Sequence, residues 1–231
     1  MSDCTDIVIP EYILERKPRQ KYIRMHIKDN GTLIVSCPMR TSQKELDSFV
    51  SEHLDWIEKN KSIIPEHSYK NGDLIPYLGK KFTLITIKGK YSADVIDNAI
   101  IVSVPHPENF TTVKKQLYRL YEKTLLDYAN KNTAYWASVL NVPIPKIEVC
   151  NAKTRWGCCY SYKNLVKLSA ITASLPEDLM QMILVHELCH LKYHNHQADF
   201  YALLKSAIPD LDEKEARLKL IDKAGLHKNL F

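Results

Sequence analysis

Between Ile23 and Lys28 apolar and polar positions alternate with a period of two: Ile23, Met25 and Ile27 against Arg24, His26 and Lys28. Asn30-Gly31 and then Leu33-Ile34-Val35 follow. Alternation on either side of an Asn-Gly pair predicts a β-hairpin within a strand-rich stretch from Ile7 to Ser36. The period then changes. Ser42-Gln43-Lys44-Glu45 has capping-box spacing, and Leu46, Phe49, Val50, Leu54 and Ile57 recur at helical spacing, so one helix is expected over about residues 42–61.

Asn71-Gly72 opens a second run of short strands, Leu74 to Leu78, Phe82 to Ile87, Ala93 to Ile96 and Ile100 to Val104, with a turn at Asp97-Asn98. This spacing predicts antiparallel pairing. Pro105-His106-Pro107 places a boundary between a β-rich N-terminal region, residues 1–105, and a second domain, residues 106–231. A long helix is expected from about residue 111 to 140, with Val113, Leu117, Leu120, Tyr121, Leu125, Tyr128, Tyr135, Trp136 and Val139 as its core face, ended by Pro143 and Pro145. Strands Lys146 to Cys150 and Leu165 to Ile171 flank a loop, Lys153 to Cys159. Pro176 suits the first turn of another helix, with Glu177 and Asp178 complementing its dipole. A final helix, Asp212 to Ala224, is stopped at Gly225. The fold class is therefore α+β: an N-terminal antiparallel β-rich region with a helix, then a more helical domain.

Composition changes this picture little. Hydrophobic residues at 45% and charged residues at 26% are globular values that exclude disorder and collagen. No apolar run approaches the ~20 residues of a membrane helix, and the N-terminus, with Asp3 and Asp6, lacks an export signal. A soluble cytoplasmic protein without a membrane partner is expected, its six cysteines reduced. The net charge of +5 is mild. Arg16, Lys17, Arg19, Lys21, Arg24 and Lys28 nonetheless cluster around Tyr22, either as a charged outer strand face or as a surface for DNA or RNA.

The chemistry concentrates in His186-Glu187-Leu188-Cys189-His190-Leu191-Lys192-Tyr193-His194-Asn195-His196. On a helix, residues four apart share a face, so His186 and His190 can close on one Zn2+ while Glu187 overlooks its open position. Leu184, Leu188 and Leu191 project opposite them. His194 lies two turns from His186, about 12 Å along the axis, too far for ~2 Å bonds to one ion. His196 can swing back if the helix ends near Tyr193 to Asn195, with Asn195 in a left-handed turn. The expected ligands are His186, His190 and His196, and Asp199 suits the orientation of a ligand imidazole. Asp199, Glu213 and Glu215 are carboxylate alternatives for the third ligand. The motif implies hydrolysis of peptide bonds in a peptide or protein substrate, with Glu187 activating a zinc-bound water. Arg155, Tyr193 and Tyr201 are candidates to stabilise the oxyanion or hold substrate.

Lys153-Thr154-Arg155-Trp156-Gly157, Leu175-Pro176, the His-Glu-x-x-His core and Asn195-His196-x-x-x-Phe200 together resemble the YgjP-like metallopeptidases, which look related to WLM and SprT-type zincins. Tyr77-Leu78-Gly79, the N-terminal strands and the helix ending near Trp56-Ile57 extend the resemblance over nearly the whole chain. It implies a zincin-like catalytic domain with one catalytic Zn2+ on His186, His190 and His196, and Glu187 as the catalytic residue. Cys158 departs from the family's usual serine, which weakens any hydrogen bond donated there. Relatives that occur beside restriction-modification genes or in DNA-protein crosslink repair imply the alternative, a nucleic-acid-associated protein whose basic N-terminal face recruits DNA or RNA to a peptidase domain.

Overall fold

The computed structural model describes residues 9–27, 32–61 and 69–223. The chain divides into two compact units, Met1–Glu66 and His67–Phe231. The class is α+β, with an N-terminal sheet and helices followed by the motif helix.

In the first unit, β1 (Ile13–Lys17), β2 (Arg24–Ile27) and β3 (Leu33–Pro38) form a sheet in the order β1-β3-β2. The expected hairpin partners, β2 and β3, pair antiparallel with Ile27 opposite Leu33, while the Asn30-Gly31 turn and Lys28 lie outside the described residues. β1 pairs parallel to β3, so this sheet is mixed rather than wholly antiparallel. Leu33, Val35 and Cys37 bury one face against Leu46, Val50 and Ile57.

The helix expected over 42–61 is two helices, α1 (Gln43–Ser51) and α2 (Leu54–Lys61). The capping box forms as expected: Ser42 Oγ accepts from the Glu45 N–H, and Glu45 accepts from the Ser42 N–H. The break has a local cause. The His53 ring donates through Nδ1 to the Phe49 carbonyl at 2.8 Å, taking the acceptor that a continuous helix would offer to the His53 N–H. That N–H bonds Val50 O instead, a tighter i→i−3 contact.

The basic residues of this unit do not share one strand face. Arg16 donates to the carbonyls of Met39 and Thr41, and Lys17 pairs with Glu15 at 2.8 Å. Arg19 and Lys21 lie in the connection between β1 and β2, and Arg24 on β2; all three are exposed beside Tyr22.

The second unit begins with β4 (Leu74–Tyr77), β5 (Lys80–Lys88), β6 (Ser92–Ile96) and β7 (Ala99–Val104), ordered β4-β5-β7-β6. β5 and β7 are parallel, with β6 returning the chain at the edge. The division between units falls at 66/67 and not at 105/106. Ile75, Tyr77, Leu84, Ile100, Val102 and Val104 share one buried cluster with Val113, Leu117 and Tyr121, which α3 (Phe110–Leu140) supplies. Apolar surface removed from water between sheet and helix makes them one folding unit.

Asn109 caps α3, and Asn141 ends it in a left-handed conformation. Its buried face runs Val113, Leu117, Tyr121, Leu125, Ala129, Thr133, Ala137 and Leu140. Tyr135 and Val139, expected in that face, are 62% and 48% exposed. Small residues carry the later turns of the stripe, where a reading weighted toward bulky side chains picks the wrong angle.

β8 (Lys146–Cys150), β9 (Gly157–Tyr160) and β10 (Leu165–Ser169) form a further sheet, ordered β8-β10-β9. β9 is an additional strand within the expected loop, antiparallel to β10 on one side and at the sheet's edge on the other. α4 (Glu177–Cys189) carries the motif, followed by α5 (Ala198–Ala207) and α6 (Leu211–Lys223); Gly225 lies outside the described residues. Leu179, Met180, Met182, Ile183, Leu184, Val185, Leu188 and Cys189 are all buried. α4 is thus a central helix covered all round, not an amphipathic one.

A two-residue turn locks α4 at its start. Leu78 and Gly79, between β4 and β5, both have positive φ, 47° and 76°. Their N–H groups donate to Ala173 O and Ser174 O at 2.9 and 2.8 Å, and Gly79 packs on Pro176, the N-cap of α4. At the same end, Asp178 accepts from Arg217 of α6.

Candidate metal centre

His186 and His190 lie one turn apart at the C-terminal end of α4, which stops at Cys189 with His190 as its C-cap. The helix ends earlier than Tyr193 to Asn195, and Asn195 is not among the described residues with positive φ. The return is made by tight turns instead: Leu191 N–H donates to Leu188 O, and both Lys192 and Tyr193 N–H to Cys189 O. This carries His196 back over the helix end. The nitrogens of His186, His190 and His196 all lie within 4.8 Å of one another, as a shared metal ion requires.

The donor set fits zinc. His186 Nε2 and His196 Nε2 are 3.1 Å apart; two imidazole nitrogens at ~2.0–2.1 Å from one tetrahedral zinc would be about 3.3 Å apart. His190 Nδ1 donates to Tyr193 O at 2.9 Å, which fixes its tautomer and leaves Nε2 to face the cluster. Burial, followed by the neighbouring His190 and His196, pushes the His186 imidazole down to about 4. Burial lowers His190 as well, against the opposing effect of its bond to the Tyr193 carbonyl. Both rings are therefore held neutral at physiological pH, the form that ligates metal. Phe200, fully buried on α5, packs against all three imidazoles at centroid distances of 5.0, 4.6 and 4.7 Å.

Glu187 is 7% exposed. Burial raises its carboxyl to about 7, and Arg155 pulls the other way. Its side chain lies against Gly157 of β9, where there is no room for a Cβ.

Two cavities meet at Gly157, His186 and Glu187. One, about 390 Å³, runs along β9 past Cys158, Cys159 and Ser161 to His190, His194 and His196. The other, about 490 Å³, contains Arg155, Trp156 and Tyr201 and extends to α6. Of the sequence candidates, Arg155 and Tyr201 thus line the same cavity as Glu187. Tyr193 serves through its carbonyl, its side chain packing on the core. Asp199 is exposed on the first turn of α5, and the second nitrogen of His190 is met by a carbonyl, not a carboxylate. Glu215 lines the larger cavity and Glu213 is exposed; neither belongs to the three-histidine cluster. His194, expected to be solvated or behind the ligands, donates through Nδ1 to His190 O at 3.1 Å and lines the smaller cavity. Cys158, the departure from the family serine, lines it too. Sequence reading missed the contact between Gly157 and Glu187, and the Gly-Cys-Cys-Tyr strand that makes it; a glycine opening a short strand was the available signal.

Residues 21–220 match the family described as YgjP-like metallopeptidase domain. The chain belongs to the YgjP-like metallopeptidases. The match spans most of both compact units and takes in β2, β3 and both helices of the first, while β1 precedes it. Comparison with curated proteins returned no match. No helix among the described residues of this YgjP-like chain is long and apolar enough to cross a membrane.

Proposed function

We propose that this chain is a zinc-dependent peptidase in which His186, His190 and His196 hold one Zn2+ and Glu187 is the catalytic acid-base group. The observation that carries the reading is the convergence of three imidazoles beside a buried carboxyl on the same helix. Bound zinc supplies Lewis acidity, lowering the pKa of water toward ~7 and polarising a carbonyl. Glu187, raised to about 7, is poised to accept a proton near neutrality and return it to a leaving amine. Arg155 and Tyr201 offer donors on the same side as Glu187, suited to a developing oxyanion. β9 is the edge strand of its sheet and lines the smaller cavity, a position at which an extended peptide can add as a strand. Free thiols at Cys37, Cys150, Cys158, Cys159 and Cys189 suit a reducing, cytoplasmic setting.

The test is metal analysis with activity. Purified protein should hold zinc at one equivalent, and Glu187→Gln should keep the zinc while losing hydrolysis of a denatured protein substrate. Wild-type hydrolysis by Glu187→Gln would remove Glu187 from its role.

A second reading concerns the first unit. Arg19, Lys21 and Arg24 are exposed beside Tyr22, itself 70% exposed, which supports recruitment of DNA or RNA by phosphate contact and stacking. Charge reversal at Arg19 and Lys21 should then weaken binding and flatten its salt dependence; unchanged affinity and slope would dismiss the recruitment.

A further inference from the structure

The two cavities that meet at Glu187 differ in chemistry. Along β9 the walls are polar: Cys158, Ser161, His194 and the cluster itself. On the other side the floor is Met182 and Ile183 of α4 with Leu211 of α6, each no more than 4% exposed, and the wall is Trp156 with half-buried Leu218. Met182 and Ile183 lie one turn before His186, so the same helix carries the floor and the imidazole. At about 490 Å³ the cavity falls within the ~300–1,000 Å³ typical of ligand pockets, with room for a whole side chain and its backbone.

The charged groups around this cavity do not favour one sign. Arg155 and Lys219 face Glu215 and Asp222, and Lys219 lies 3.9 Å from Glu215. Selectivity there rests on the apolar floor, where the surface of an entering apolar side chain is removed from water.

We infer that this cavity is the specificity pocket of the site, taking a large apolar side chain from the residue on one side of the scissile bond, while the residue on the other side lies in the polar cavity along β9. The inference rests on the peptidase reading and names its substrate class: unfolded or extended polypeptide with a bulky hydrophobic residue beside the cleaved bond. Met182 adapts to aromatic and aliphatic shapes alike, so the pocket selects size and apolarity rather than one residue. Leu218 of α6, half-buried in the lining, is a position at which a substitution would change its size.

The experiment digests a mixture of peptides from a denatured bacterial lysate with zinc-loaded full-length protein and sequences the new termini. Large apolar residues should be enriched at one of the two positions flanking the cut, by about tenfold or more over alanine. Leu218→Trp, which fills the pocket, should shift the preference toward small residues. Leu218→Ala, the milder change at a half-buried site, should shift it toward tryptophan. Both variants should hold zinc at the wild-type stoichiometry. Cleavage without apolar enrichment would overturn the pocket assignment and leave the peptidase reading standing, as would a preference unchanged in Leu218→Ala. Absence of cleavage by zinc-loaded wild type would overturn the peptidase reading, and the pocket with it.

Discussion

A Cβ placed on Gly157 would lie 2.7 Å from Oε1 of Glu187 and 2.7 Å from its Cγ. The edge strand and the Glu187 carboxyl are therefore in direct contact, and only a residue without a side chain allows it. Gly157→Ala must push Glu187 aside. A displacement of about 1 Å at a reacting group costs on the order of 100-fold in rate. The expected result is a fall of that order in kcat with zinc content unchanged, measured by single-turnover hydrolysis and metal analysis. Wild-type kcat in the variant would show that the contact does not position the carboxyl.

Glu187 should also be visible in stability. Its carboxyl titrates near 7 in the fold against an ordinary 4.5, so the fold disfavours the ionised form. The penalty is absent below about 4.5, grows as pH rises, and is complete above about 7, where the gap corresponds to about 3 kcal/mol. In metal-free protein Glu187→Gln removes this penalty. Its melting temperature relative to wild type should therefore climb between pH 5 and pH 8, and a difference independent of pH would contradict the assignment.

Of His194 and His196, the latter alone joins the cluster. His196→Ala should lose tight zinc binding, whereas His194→Ala should retain it, because His194 is held to the His190 carbonyl. Competition with a chromophoric chelator reads both. Tight zinc in His196→Ala would move the third ligand elsewhere.

Gly79 combines a φ of 76° with a virtual Cβ 2.8 Å from Pro176 Cα. Gly79→Ala should cost more than ~1 kcal/mol through backbone strain and still more through displacement of the α4 N-cap. Thermal or urea melts measure the loss, and a stability equal to wild type would mean that the turn does not clamp the helix.

Local signals were legible where a short stretch determines its own structure. The Ser42 capping box, the strands around Asn71 to Val104 and the metal-binding spacing of His186, His190 and His196 could all be read in a few residues each. Signals that depend on distant partners were not. The break at His53 arises from a side chain competing for a backbone carbonyl. The parallel pairings of β1 with β3 and of β5 with β7 join segments whose own patterns are indifferent to strand direction. α4 reads as amphipathic when only its leucines are projected; its burial on every side depends on what packs against it. Likewise, nothing near Leu218 marks it as lining the same cavity as Glu187, because α6 reaches that cavity through its packing against α4.

The shared core of α3 and the four-stranded sheet β4 to β7 has a practical meaning for anyone dissecting this chain. A fragment beginning at Pro105 would contain every histidine of the centre, the glutamate beside them and the edge strand along the cleft. It would also strip Val113, Leu117 and Tyr121 of the sheet they bury against, and leave the N-cap of α4 without the turn that holds it. The stretch of sequence that carries the histidine centre is thus shorter than the stretch that can fold to hold it, and a fragment meant to keep that centre should begin upstream of β4.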